Sequence, residues 1–334
     1  MQSQNRSLLL LGLAALVIGT LLVAGCTGTP GASTPAPTAM TTTLSTPVTA
    51  ATTAAPGTAI ATSTTVSTGT TPTQGSAYAP SGLTGKISVT GSTTVLPIAQ
   101  ALAEAYQALN PGADIQVSGG GSGVGVQAAG GKTAEIGMSS RDVQDAEKTK
   151  YQDLKIIPMA RDGIVMIVHP SNAISSLTLA QIKDIYAGKA TNWKDVGGPA
   201  QPIVVVGRDS ASGTREFFNT KIMGTNATTP TMLEKNSNGG VKSSIAPNPG
   251  AIGYVGMGYI DATVKELNIS VNGTQIPPTV NNVVTGSYPL SRQLFYLTNG
   301  DASGLAKDFI AFTLSPDGQK IVEEQGFVSI TRTA

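Results

Sequence analysis

A tract without a single charged residue, Thr27 to about Thr84, decides how much of this chain is free to build a core. It consists almost wholly of Thr, Ala, Ser, Pro and Gly, and Tyr78 is its first aromatic. Such a segment cannot bury enough apolar surface to offset the entropy lost on ordering, so it is expected to stay disordered. The same composition suits an O-glycosylated stalk. As a flexible coil it would span on the order of 40 Å, which makes it a tether. The folded unit is therefore expected at 85–334.

The residues before the tether say where it is fastened. Arg6 precedes an apolar run, Leu8 to Ala24, that ends in Val23-Ala24-Gly25-Cys26. A charged start, a short apolar stretch and small residues before a cut site describe a secretory signal over 1–26. The run is slightly short for a bilayer span of about 20 residues. Val23-Ala24-Gly25-Cys26 resembles a lipoprotein signal box, in which Cys26 becomes the lipidated first residue. The other reading is an uncleaved anchor helix. Both put the rest of the chain outside the cytoplasmic membrane.

Composition removes several classes of function. Cys26 is the only cysteine, so neither an intrachain disulfide nor a cysteine-based metal cluster can form. His169 is the only histidine, which leaves no His-rich metal site. A formal net charge of +1 gives no electrostatic footprint for nucleic acid. No cofactor or metal is expected.

Beyond Lys86, short apolar runs alternate with helical patterns. Lys86–Thr90, Ile115–Ser118, Ile156–Met159, Ile164–Val168 and Ile203–Gly207 read as strands. Ile98, Leu102, Ala105 and Leu109 fall on one helical face. Thr178-Leu179-Ala180-Gln181 reads as a capping box opening a helix that Gly188 ends. Ser315-Pro316 reads as a helix start with Pro at the first position, and Gly326 as its stop. Alternation of this kind argues for an α/β protein with mostly parallel sheets covered by helices. A unit of this size often splits into two lobes, and α/β ligands bind at strand ends facing the cleft.

Four segments share one chemistry. Gly91-Ser92-Thr93-Thr94, Gly119-Gly120-Gly121-Ser122-Gly123, Met138-Ser139-Ser140-Arg141 and Arg208-Asp209-Ser210-Ala211-Ser212-Gly213-Thr214 each follow an apolar run. Each supplies hydroxyls and unhindered N–H groups at a strand-to-helix turn. Free N–H groups at a helix start form an anion site without a strongly positive pocket. Taken singly, each turn is an ordinary helix cap. Four together, with an arginine able to grip an oxyanion at two points, point to a tetrahedral anion.

These turns, in this order and spacing, resemble the PstS-type phosphate-binding proteins. Thr191-Asn192-Trp193-Lys194, Gly250-Ala251-Ile252-Gly253-Tyr254, Tyr288-Pro289-Leu290-Ser291-Arg292 and Ser315-Pro316-Asp317-Gly318-Gln319 are further points of likeness. The resemblance implies a two-lobe periplasmic-binding-protein fold of the two-crossover type II, with a ligand cleft between the lobes. Lobe one would comprise about 85–161 plus 289–334, and lobe two about 162–288. It implies that Ser92, Thr93 and Thr94 form the first phosphate turn and Ser122 with Gly123 the second. Ser140 matches the third, with Arg141 beside it, and Arg208, Ser212, Gly213 and Thr214 come from the other lobe. Many members carry Asp at the position of Ser140, where it accepts the proton of monohydrogen phosphate. Asp209 is expected to pair with Arg208 or Arg215.

The function so implied is capture of inorganic phosphate by a monomer and delivery to the permease subunits of an ABC importer. The alternatives are another tetrahedral oxyanion (sulfate, molybdate or tungstate), a surface receptor or adhesin, and a hydrolase built on Ser122 or Ser212. Neither serine lies in a G-x-S-x-G elbow. Gly131-Lys132-Thr133 ends like a P-loop, but Val126 stands where its first glycine is required. His169 before Pro170 is expected to be a surface residue and Trp193 a packing residue. Asn226, Asn268 and Asn272 begin N-x-S/T sequons.

Overall fold

The computed structural model describes residues 78–333, so the signal-like segment, Cys26 and the tether through residue 77 lie outside the described residues. Eleven strands follow in chain order. They are β1 (Gly85–Gly91), β2 (Ala113–Gly119), β3 (Ile136–Ser139), β4 (Leu154–Val168), β5 (Ser176–Thr178) and β6 (Val204–Arg208). The rest are β7 (Leu233–Lys235), β8 (Ala251–Gly256), β9 (Lys265–Val271), β10 (Thr274–Ile276) and β11 (Ser291–Asn299). Their order is β2-β1-β3-β11-β4-β8-β6-β7, with β9 carrying β5 and β10 beside β4.

The expected strands Ile156–Met159 and Ile164–Val168 are one strand. The first half of β4 pairs with β11, and the second half, from Ile164, pairs with β8 and β9. Its apparent break in the sequence is a bulge: Leu294 faces Ala160 while Phe295 faces Pro158, so Met159 is the extra residue. A bulge accommodates Pro158, which has no N–H for the ladder. β4 therefore runs through both lobes, and β11 lies beside its first half, in lobe one.

The pairing is mixed. β1–β2, β1–β3, β6–β7 and β6–β8 are parallel, as the alternation of strands and helices requires. β4 and β11, which carry the crossovers, run antiparallel to their neighbours.

In lobe one, helix Leu96–Leu109 buries Ile98, Ala99, Leu102, Ala103 and Tyr106 against Phe309 and Phe312. Leu109, expected on that face, is exposed at the helix end. In lobe two, Trp193 is fully buried among Ile174, Val205 and Ile252, and its indole N–H donates to Gly250 O at 3.0 Å. The Thr178–Gln181 capping box is present, with Gln181 N on Thr178 Oγ1 at 3.1 Å. Ser315 caps helix Pro316–Glu324 through Gly318 N at 3.2 Å. Gly188 and Gly326 adopt positive φ just past their helices.

Order begins before Thr84. Tyr78 and Ser81 both donate through their hydroxyls to Asp308 Oδ2, as does Tyr106, and Tyr78 N donates to Asp317 Oδ2 at 2.9 Å. The Tyr78 ring packs edge-on against Phe312 with centroids 5.0 Å apart. The expected end of the tether is thus corrected: 78–84, though uncharged, is clasped to lobe one by one aromatic ring and a carboxylate that accepts three hydroxyls.

Candidate anion site

The apolar strand Val204-Val205-Val206-Gly207 ends in Arg208, and the strand delivers that side chain into the protein at 1 % exposure. Its Nε donates to Lys235 O at 3.1 Å and its Nη2 to Asn236 O at 3.2 Å. That uses two of the five guanidinium N–H groups. Among the described residues no carboxylate lies within ion-pair distance of it. Burial pulls its pKa down, partly offset by the negative charge of Asp209. Tyr254, whose hydroxyl burial pushes up to about 12, accepts from Arg208 N. A buried cation with free donors is costly unless an anion joins it.

Opposite it stand the helix starts of lobe one. Ser92 Oγ accepts from Thr94 N at 3.2 Å and Val95 N at 3.4 Å, so this hydroxyl holds the turn that leads into the first helix. Thr93 and Thr94 follow it, and both are buried. Ser122 opens helix Ser122–Gly130; its Oγ accepts from Ser140 N at 3.0 Å and lies 3.3 Å from Ser140 Oγ. Gly121, with φ +97°, tolerates no side chain, because a Cβ there would strike the Ala211 carbonyl of the other lobe. A Cβ on Gly213 would collide with Ser122 Oγ in the same way.

The lobes meet over these groups. Thr94 Oγ1 and Thr214 Oγ1 are 3.0 Å apart, and Gly123 N donates to Ala211 O at 3.2 Å. Asn238 Nδ2 donates to Thr93 Oγ1 at 3.1 Å and to Thr94 Oγ1 at 3.0 Å, while its Oδ1 accepts from Gly256 N. Arg292 Nη2 donates to Thr94 Oγ1 at 3.2 Å and Nη1 to Ser140 O at 2.9 Å. Arg292 is held in turn by Asp162, whose Oδ2 accepts from Nη2 at 2.7 Å and Nε at 2.9 Å. Burial pushes the Asp162 carboxyl up, against the opposing pull of Arg292 and the Met257 N–H.

The structure thus brings Thr93, Thr94, Ser122, Gly123, Ser140, Gly213 and Thr214 together where the lobes meet, with Ser212 capping the helix that carries Thr214 and the buried Arg208 ending the preceding strand. Arg141 is placed differently. Its Nη1 and Nη2 each donate to Glu147 at 2.7 Å, Nη1 also reaches Asp142 O, and Nε pairs with Glu216 of lobe two at 2.6 Å. Four of its N–H groups are occupied, so Arg141 ties lobe to lobe instead of offering a free cation. Asp209 pairs with neither arginine: Arg215 binds Glu234 and Arg208 O, and Asp209 Oδ1 is buried without a partner among the described residues.

Asn238, Asp162 and the central position of Arg292 were not foreseen. Asn238 had a legible signal, because Ser237-Asn238-Gly239-Gly240 is a fifth Gly/Ser turn after a strand and opens helix Asn238–Ile245. The pairing of Asp162 with Arg292 gave none, since they meet by β4–β11 register across 130 residues.

Comparison with known proteins agrees with this architecture. Residues 32–317 match the PBP superfamily domain. The phosphate-binding protein PstS of Bacillus subtilis is 35 % identical over 257 residues, covering 77 % of this chain and 84 % of that protein. PstS of Borreliella burgdorferi is 34 % identical, covering 73 % and 90 %. A crystal structure from Clostridium perfringens, described as a phosphate ABC transporter substrate-binding protein with bound phosphate, superposes with TM-score 0.70 at 36 % identity. It covers 74 % of this chain and 100 % of that one. With matches of this extent in sequence and fold, the chain belongs to the PBP superfamily and, within it, to the PstS-type phosphate-binding proteins.

Proposed function

We propose that this protein captures inorganic phosphate between its lobes and hands it to the permease subunits of an ABC importer, without catalysis. One observation carries the reading: Arg208 is buried, meets no carboxylate among the described residues and spends only two of its donors on carbonyls, in a fold whose two lobes bring buried hydroxyls together. A tetrahedral oxyanion supplies both the missing charge and the missing acceptors. The relatives named as phosphate-binding make phosphate the first ligand to test. Ligands of five heavy atoms reach about −1.5 kcal/mol per atom at best, which corresponds to low micromolar affinity.

Binding without turnover suits the serines, because Ser122 Oγ meets only Ser140 and Ser212 Oγ caps a helix, so neither has a general base. The lone His169 bonds Ser171 at the end of β4. Among the described residues no helix is long and apolar enough to cross a membrane. We place attachment at the N-terminal segment, through lipidated Cys26 or an anchor helix, with the binding unit outside the cell membrane and acting as a monomer. Titration calorimetry of the protein with phosphate tests the reading. Saturable one-to-one binding is expected, and no heat or protection from thermal unfolding at millimolar phosphate would overturn it.

A further inference from the structure

Three N-x-S/T sequons lie within the described residues, and the fold treats them differently. In Asn226-Ala227-Thr228 the asparagine is half-buried, and its Nδ2 donates to Met223 O at 2.9 Å. Asn268-Ile269-Ser270 lies inside β9. There Ile269 and Ser270 are paired on both sides, with Leu177 and Thr178 of β5 and with Ile276 and Gln275 of β10. Asn268 Nδ2 donates to Gln275 Oε1 at 3.1 Å. Both amide nitrogens are engaged, and nothing reaches the Asn268 backbone without opening the sheet.

Asn272-Gly273-Thr274 is placed otherwise. Val271 faces Thr274 across the β9–β10 ladder, so Asn272 and Gly273 are the whole connection between the strands. Their φ angles of +50° and +82° are those of a two-residue type I′ turn, which favours Asn-Gly. All three residues are exposed, and a Cβ added to Gly273 would meet open space. Among the described residues no hydrogen bond holds the Asn272 amide, in contrast to those of Asn226 and Asn268.

Glycosylation of asparagine needs a free amide nitrogen and a Ser or Thr two residues on, both presented at a surface turn. Turn chemistry accounts for Asn272 and Gly273. Thr274, the exposed first residue of β10, makes the same tip a complete acceptor. β10 pairs with β9 alone, so its outer edge is open to strand addition, and a bulky polar group at its base would shield that edge.

We propose that Asn272 is an N-linked glycosylation site and that Asn226 and Asn268 stay bare. The co-reactant is an oligosaccharide carried on a lipid phosphate. Asn272 Nδ2 bonds to the anomeric carbon of the first sugar and gives up one proton. The bond from that carbon to the phosphate oxygen breaks, and the lipid phosphate keeps its electron pair and takes the proton. Transfer needs the extracytoplasmic placement proposed above, because it brings the chain to the face where such donors are presented.

Mass spectrometry of the full chain, recovered from the cells that make it, tests the assignment. Trypsin releases Glu266–Arg292, which holds both Asn268 and Asn272, and Ile222–Lys235, which holds Asn226. Electron-transfer fragmentation of the first peptide should place a sugar mass on Asn272 and none on Asn268, and the second peptide should be unmodified. Asn272→Gln and Thr274→Ala should each abolish the mass shift, and Thr274→Ser should retain it. Protease treatment of intact cells reads the placement in parallel. A chain that is cut from outside yet bare at Asn272, or that carries sugar at Asn226 or Asn268 instead, overturns the proposal and leaves the placement standing. A chain protected inside the cell removes both. Phosphate affinity of Asn272→Gln is expected to equal that of the native chain, so phosphate capture is judged separately.

Discussion

Arg208 ends a strand and Arg141 follows one, each beside a Ser-rich turn and almost fully buried, and they do opposite things. Arg208 is 1 % exposed and meets only carbonyl oxygens; Arg141 is 6 % exposed and meets two carboxylates. The Arg208 side chain leaves a positive charge for something else to neutralise. Arg141 with Glu147 and Glu216 has one negative charge in excess, and Glu216 comes from the facing lobe. The contrast separates gripping a ligand from gripping a lobe. Burial marks neither role; unsatisfied donors mark the first.

Arg292 sharpens the contrast most, being a buried arginine with a single carboxylate. Arg292→Met would strand Asp162 in the interior, and breaking a buried pair from one side costs about 3–5 kcal/mol. Chemical denaturation without ligand should register that loss of stability. Arg208→Met should do the reverse, leaving stability without ligand unchanged or higher while phosphate affinity falls about 100-fold, near 3 kcal/mol. Arg208→Lys should recover only part, because an ammonium lacks the planar two-point grip. If Arg208→Met weakened the fold and left binding intact, the comparison would be broken.

The lobe-to-lobe role of Arg141 predicts a smaller, kinetic effect. Glu216 is about a third exposed, so its pair with Arg141 contributes about 0.5–1 kcal/mol after solvent screening. Glu216→Gln should speed phosphate release about two- to fivefold, by about that free energy, with little change in capture rate in stopped-flow measurements. Glu147 supplies the weakest effect, one of pH. Burial raises its carboxyl, but hydrogen bonds from Arg141 and Gln144 N lower it further, so the net shift is downward. A depressed carboxyl contributes stability that is full above the ordinary Glu range and is lost as pH falls through the lowered value. The stability difference between native protein and Glu147→Gln should therefore be flat near neutrality and vanish only in acid. A difference that grew on acidification would contradict the pairing.

Much of this was legible in the sequence because it is local. Strand-to-helix turns are written in neighbouring residues, so the Thr93-Thr94, Ser122, Ser140 and Ser212-Gly213-Thr214 turns could be read directly. The capping residues Thr178 and Ser315 act within one helical turn, and they stand where the pattern put them. What failed is what depends on distance through space. Arg141 has a free guanidinium until Glu147 and Glu216 are folded against it. Arg292 and Asp162 are 130 residues apart and meet only because β11 lies in register with β4. Ile156–Met159 and Ile164–Val168 read as two strands because a bulge cannot be told from a break in one dimension. Tyr78 sits in a tract whose composition predicts disorder, yet a single ring against Phe312 and a bond to Asp308 bring it into the fold.

That clasp has a mechanical side. Tyr78 and Ser81 are fastened to helix Gly304–Leu314, and Tyr78 N to Asp317 of the next helix, all within lobe one. A force applied at Tyr78 would enter lobe one through these two helices. It would load the back of that lobe before it reached the turns where the two lobes touch.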